Sequence, residues 1–398
     1  MVDPTPTPPA ATQAERHELI IDTDVGIDDA TAILVAFQHP AADIKAFTIV
    51  DGNVDQPQAV KNIKTLCAVA KREDIPIYAG ADGPILRGLH KKELWPGHGD
   101  DGLGNITTNN NNTDDGALAL PGDGHIPTQK EVAAAAIVRM VNERPGAYTI
   151  VAVGPLTNIG IALTLDTELL TKIKGLYIMG GCLFGKGNAN RAAEFNIHCD
   201  PEAAHIVFQA ASTLPPRPTP IITLLTWELT VEHGFPWSFF DYLTQDSPVN
   251  AHGKFLRTMS KCAETLSRAQ HELLGGPGPT TPTAVLVEKE ELGVKTDEKT
   301  GKKVRTRNTH EEYLYGANSF LMPDLYAVAA LLEPTSVTSY KDWDVGVELN
   351  GIHTRGMTHM DWWGGHGKGR TGPNARVVLA MDREVVKEML VRTFKTGF

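Results

Sequence analysis

Four carboxylates fall within eight residues near the start of the chain, in Asp22-Thr23-Asp24-Val25-Gly26-Ile27-Asp28-Asp29. Like charges at this spacing repel strongly unless a cation neutralises them. Hard oxygen ligands in this number select Ca²⁺ or Mg²⁺ over zinc. One or two aspartates here would need no explanation beyond helix capping and the helix dipole. Four of them after a buried strand-like run exceed what capping requires. An EF-hand loop also opens with DxDx, but it needs Gly at position 6 and Glu at position 12. Counting from Asp22, those positions hold Ile27 and Ile33, so that motif fails.

The elements that must position this cluster alternate. Apolar strand-like runs at 19–22 and 44–50 flank a buried helix pattern at 29–38. A second helix at 56–72 leads to a strand at 75–78. After residue 127 the pattern resumes with helix 129–142, strand 148–153, helix 156–165, strand 175–179, helix 201–211 and strand 220–225. Alternation of this kind predicts an α/β fold with a mostly parallel, Rossmann-like open sheet flanked by helices. Ligands of such sheets gather at the carboxyl ends of the strands, where the acidic cluster falls. Residues 228–320 carry mostly helical signals, including 250–271, and predict a helical cap. Strands at 343–349 and 375–381 and a helix at 383–394 close the chain. The expectation is a single catalytic domain over 18–398, after a disordered tail at 1–17 rich in Pro, Thr and Ala. Insertions interrupt it near 107–124 (Asn/Asp/Gly-rich) and 275–307 (a Gly/Pro linker, then a charged hairpin or loop).

Composition bounds the partners. The formal net charge of −11 argues against nucleic acid or an anionic membrane, either of which would want a basic face. Four scattered cysteines form no CxxC pair and read as free thiols. The N-terminus has no basic and then apolar run of a secretory signal, and no apolar stretch is long enough to span a bilayer. These features predict a cytoplasmic protein.

Two families contain the DxD pattern. Asp22-Thr23-Asp24-Val25 fits the nucleophile motif of haloacid dehalogenase-type phosphatases, with Asp22 and Asp24 as the working pair. That chemistry also wants a lysine and a second acidic pair downstream. No convincing strand-end acidic pair appears, and Asp28 and Asp29 are left idle. The fuller resemblance is to the inosine–uridine nucleoside hydrolase family, whose DxDxGxDDA signature stands complete as Asp22 to Ala30. Further matching segments follow in order: Asp51-Gly52-Asn53-Val54, His98 to Leu103, Val153 to Asn158, Met179-Gly180-Gly181, and Ala193-Glu194-Phe195-Asn196-Ile197 with Asp200-Pro201-Glu202-Ala203.

The resemblance implies Ca²⁺-dependent hydrolysis of a ribonucleoside to ribose and free base, in a homo-oligomer. It implies Asp24, Asp29 and Asp324 as carboxylate ligands of the ion, with the backbone carbonyl of Val153. Asp28 becomes the base that activates water, and Asp22 orients the others from behind. Asn53, Asn188, Glu194 and Asn196 match the ribose-binding set. Asn158 and Asp200 read as structural, as helix cap or buttress. The chain departs from the pattern at Pro323, where many members carry a histidine that helps the base depart. His98 and Trp227 are the candidate contacts for the leaving group in its place, with Trp95, Trp362 and Trp363 as further aromatics. A non-catalytic nucleoside- or sugar-binding protein of the same fold is the remaining alternative.

Overall fold

The alternating pattern folds as one sheet between two helical layers. The computed structural model describes residues 16–88, 94–106, 126–273, 294–296, 303–305, 319–364 and 372–398. β1 (His17–Thr23) runs through α1 (Ile27–Gln38) to β2 (Ala42–Ile49), then through α2 (Gln56–Ala70) to β3 (Ile77–Ala79) and β4 (Thr128–Gln129). The chain continues through α3 (Ala133–Glu143), β5 (Tyr148–Ala152), α4 (Thr157–Leu165), α5 (Leu169–Lys172) and β6 (Gly175–Met179). Next come α6 (Phe195–Cys199), α7 (Pro201–Ser212) and β7 (Ile222–Leu225). The helical region holds α8 (Trp227–Glu232), β8 (Phe235–Pro236), α9 (Trp237–Thr244), α10 (Ala251–Met259) and α11 (Lys261–Leu273). It is followed by β9 (Val294–Thr296), β10 (Lys303–Arg305), β11 (Ser319–Phe320) and α12 (Pro323–Leu332). β12 (Val337–Trp343), β13 (Val345–Val347), β14 (Thr358–Met360), β15 (Ala375–Met381) and α13 (Arg383–Val391) complete the chain.

Nine strands form the main sheet in the order β12-β15-β7-β6-β5-β1-β2-β3-β4. All neighbours are parallel except β12 against β15. Side chains alternate across β1: Leu19 and Ile21 enter one core with α1, α12 and the cap helices, while Ile20 enters the other with α3, α4 and α7. The strand order decides where a ligand can sit. From β1 the chain winds outward through β2 and β3, then returns to place β5 on the other side of β1. Connections leave β1 and β5 in opposite directions, which opens a crevice beyond their carboxyl ends.

Several boundaries moved. β1 begins at His17, paired with Ala42, inside the stretch read as tail. The helix expected at 250–271 breaks at Ser260 into α10 and α11, and that expected from 129 begins at Ala133 because Thr128–Gln129 joins the sheet. The strand expected at 343–349 also divides. The Val337–Trp343 segment pairs with β15, whereas Val345–Val347 pairs with Thr358–Met360. Asn374 forces the change: its backbone N–H donates to the Trp343 carbonyl and its side-chain oxygen accepts from Val345 N–H. Insertion 107–124 and linker 275–282 lie outside the described residues. In the charged stretch, Val294–Thr296 and Lys303–Arg305 pair antiparallel. Among the described residues, no helix is long and apolar enough to cross a membrane.

Candidate active site

Asp22 is the last residue of β1 in register with both neighbours, Thr48 of β2 and Ala152 of β5. It is fully buried, and its Oδ2 accepts from Thr48 Oγ1 (2.6 Å) and Asn158 Nδ2 (2.9 Å). Burial pushes its pKa up to about 7, against the lowering effect of those two bonds. Asp22 is thus held from both sides, by Thr48 of β2 and Asn158 of α4. Asn158 sits inside α4, where its side chain caps no helix. It ties Asp22 to the Ile49 carbonyl and to Ala81 N–H, so it buttresses the site itself.

Beyond the sheet the chain makes a strained turn. Val25, buried and β-branched, has φ 45°, a left-handed conformation that costs about 1–3 kcal/mol in a non-glycine residue. Surrounding bonds hold it there. Asn62 Nδ2 donates to the Val25 carbonyl (3.1 Å), and Val25 N–H donates to Thr23 Oγ1 (3.2 Å). The turn swings Asp24 and the start of α1 toward one another. Asp29 then accepts from the Thr23 hydroxyl, from Gly26 N–H (2.8 Å) and from Asn53 Nδ2 (3.1 Å). Asp24 Oδ2 accepts from Asn53 N–H at 2.6 Å. Gly52 must be glycine, since a Cβ there would lie 1.9 Å from Asp24 Oδ2.

Asp324 arrives from the far end of the chain, in the first turn of α12, with Pro323 at the helix start, where a missing N–H costs nothing. Carboxylate oxygens of Asp28, Asp29 and Asp324 lie within 4.8 Å of one another. This grouping includes Asp28, which was expected to work beside the ion rather than among its ligands. Asp24 adjoins the group, and Asp29 and Asp28 both raise its pKa. Burial, the largest cause throughout, raises Asp28 and Asp29 to about 6 and holds Asp24 and Asp324 well above the usual carboxylate range. Asp24 Oδ1, Asp28 Oδ1 and Asp324 Oδ2 are buried with no hydrogen-bond partner. Orphaned oxygens of this kind are what a hard cation would satisfy, so the donor set fits Ca²⁺. The Val153 carbonyl at the end of β5 accepts from Asn196 Nδ2 at 3.0 Å and has a second lone pair to offer.

The expected ribose set divides. Glu194, almost fully buried, caps α6 by accepting from Asn196 N–H (2.8 Å) and Ile197 N–H (3.2 Å), and also accepts from Gly181 N–H (2.9 Å). Burial raises it to about 7, with Asp28 adding to the rise. Asn196 and Asn53 border the cluster through Val153 and Asp29. Asn188 is exposed, and its Oδ1 accepts from Phe195 N–H, the turn role that competes with ligand binding.

Of the leaving-group candidates, His98 reaches the cluster. Its Nδ1 accepts from Ile27 N–H (3.2 Å), which places the neutral ring's proton on Nε2, 3.8 Å from Asp28 Oδ1. Burial lowers its pKa to about 4, so the ring is neutral at pH 7. Trp95 packs edge-on against His98. Trp227 opens α8, half-buried, and its backbone N–H donates to the Gly181 carbonyl. Trp362 stacks on exposed Phe184, and Trp363 is almost wholly exposed. Thr23, Thr48 and Asn62 were missed, because a threonine or asparagine inside a strand or helix carries no signal until its partner is known.

The family model described as inosine-uridine preferring nucleoside hydrolase matches residues 19–388. The chain belongs to that family. It is 31% identical over 377 residues to the pyrimidine-specific ribonucleoside hydrolase RihA of Salmonella arizonae, covering 95% of this chain and 98% of the relative. Uridine nucleosidase 1 of Arabidopsis thaliana is 40% identical over 200 residues, 50% of this chain, so the chain spans about half the length of that relative (55%). The solved structure of an inosine-guanosine nucleoside hydrolase superposes with a TM-score of 0.73 at 31% identity, covering 95% and 98% of the two chains. Nucleoside hydrolase family membership, with the whole DxDxGxDDA segment at the crevice, displaces the phosphatase reading of Asp22 and Asp24.

Proposed function

We propose that the protein hydrolyses the N-glycosidic bond of ribonucleosides, releasing ribose and the free base. The observation that carries this is the convergence of Asp24, Asp28, Asp29 and Asp324 at the β1–β5 crevice, with buried oxygens lacking partners. Asp24, Asp29, Asp324 and the Val153 carbonyl would hold a Ca²⁺. Such an ion supplies Lewis acidity that lowers the pKa of a bound water and fixes ribose hydroxyls.

The chain's own residues do the rest. Asp28 Oδ1 takes a proton from the water as its oxygen bonds to the anomeric carbon, while the bond from that carbon to the base breaks. The nearby carboxylates stabilise the positive charge that develops on the ribosyl ring. Glu194, Asn196 and Asn53 present acceptors and donors to the ribose hydroxyls. The His98 Nε2–H offers a neutral donor to the departing base, in place of the side-chain donor that Pro323 lacks. Asp24 is the rival proton acceptor, because its Oδ1 is likewise buried without a partner.

The similar proteins carry names for pyrimidine, uridine and inosine-guanosine substrates, so the base is settled by assay. Inosine, guanosine, uridine and cytidine are incubated with the protein, with and without a chelator, and reducing sugar is measured. Release from at least one, abolished by chelation and restored by Ca²⁺, is expected. Binding without release from any of the four would instead make this a nucleoside-binding protein. The same reading implies a cytoplasmic homo-oligomer, which fractionation and light scattering check.

A further inference from the structure

The segment from Thr358 to His366 carries two histidines and two tryptophans, and it opens on a threonine whose hydroxyl bonds to a turn beside the site. Thr358 is buried in β14, while its neighbour His359 is exposed. Thr358 Oγ1 accepts from Cys182 N–H (2.7 Å) and donates to the Cys182 carbonyl (2.6 Å). One side chain thus satisfies both backbone groups of a residue 176 positions away. Cys182 follows the Gly180-Gly181 turn at the carboxyl end of β6. Gly181 adopts φ 73°, and a Cβ there would lie 2.8 Å from Thr358 Cγ2. On its other side, Gly181 sends its N–H to Glu194 Oε2.

Glu194 accepts three backbone N–H bonds. Two come from the first turn of α6, which Glu194 itself caps, and they travel with the residue. The third, from Gly181, comes from a different strand end and fixes where the carboxylate points relative to the sheet. We propose that Thr358 is a positioning residue for the nucleoside site: it clamps the Gly181-Cys182 turn so that Gly181 N–H aims Glu194 at a ribose hydroxyl. This rests on the nucleoside reading above. The β13–β14 hairpin is thereby part of the site's scaffold, although no residue of it belongs to the acidic cluster.

The test compares wild type, Thr358→Val, Thr358→Ala, Thr358→Ser and Glu194→Gln on a cleaved ribonucleoside and its 2′-, 3′- and 5′-deoxy analogues. Glu194→Gln identifies the hydroxyl, as the analogue on which it loses least. Removing the clamp's hydroxyl should lower kcat/KM on the full ribonucleoside about tenfold, the scale of one or two lost hydrogen bonds. On the analogue lacking the identified hydroxyl the loss should nearly vanish. Thr358→Ser, which keeps the hydroxyl, should restore the wild-type pattern. An equal loss on every analogue, no loss at all, or failure of serine to rescue would overturn the proposal. Thr358→Ala serves if valine does not fold. If the wild type cleaves nothing, the hydrolase reading fails separately, and the same comparison of binding constants by calorimetry decides the role of Thr358.

Discussion

Replacing Asp22 by Asn probes the chemistry of the buried cluster one charge at a time. Asparagine keeps the shape and can still accept from Thr48 and Asn158 through its carbonyl oxygen. It removes the charge and puts an amide NH₂ at the position of Oδ1, which is buried with no hydrogen-bond partner, at a cost that does not vary with pH. In the folded protein Asp22 ionises near pH 7 instead of at its ordinary value of 3.8, chiefly because burial strips water from the carboxylate. An acid whose pKa is raised on folding keeps its proton longer in the folded state. Its contribution is therefore neutral below pH 3.8, and stability falls as pH rises from there through about 7. Above pH 7 the whole cost is present, and a shift of about three units corresponds to about 4 kcal/mol. The variant should be no more stable than wild type at pH 4, and the difference should move in its favour by about 4 kcal/mol between pH 4 and pH 8. For a chain of 398 residues that movement is a relative gain of roughly 5 °C in melting temperature. Equilibrium urea unfolding in chelator, run on both proteins across this range, gives the difference directly and cancels contributions common to both. A difference that stays flat with pH, or one that moves against the variant as pH rises, would refute the claim that Asp22 is a desolvated charge.

Three further outcomes follow from the same geometry. Asp28→Asn should cut kcat by about 10²–10⁴ if Asp28 takes the proton, with Ca²⁺ binding measured alongside; a deeper loss in Asp24→Asn, with Ca²⁺ still bound, would move the base to Asp24. Ca²⁺ at a hundred times its dissociation constant should stabilise the wild type by about 2.7 kcal/mol. Asp324→Asn should abolish most of that gain, and a full gain in the variant would remove Asp324 from the ion's ligands. His98→Ala should lower kcat more than it raises KM, and an effect confined to KM would make His98 a packing residue.

Much of the fold was legible because it rests on local pattern. The alternation of apolar runs and helices fixed the parallel sheet, and strand 175–179 and helix 201–211 fall at or within a residue of their expected ends. Boundaries failed where the apolar pattern did not decide them. Asn374 takes the chain out of the main sheet after Trp343, and Ser260 divides a helix whose apolar periodicity runs through it.

The acidic cluster shows the same division. Four aspartates in eight residues raise the expectation of a cation site, because carboxylates brought together repel one another unless a cation neutralises them. The assignment of oxygens could not be read from the sequence. The left-handed Val25, held by Asn62 and Thr23, turns Asp24 toward Asp28 and Asp29, and the strand order sets Val153 beside them. Asp324 joins only because α12 packs against α1 in the shared core. The clamp from Thr358 and the buttress from Asn158 leave no trace in local sequence, since hydrogen bonds between distant segments exist only once the chain has folded.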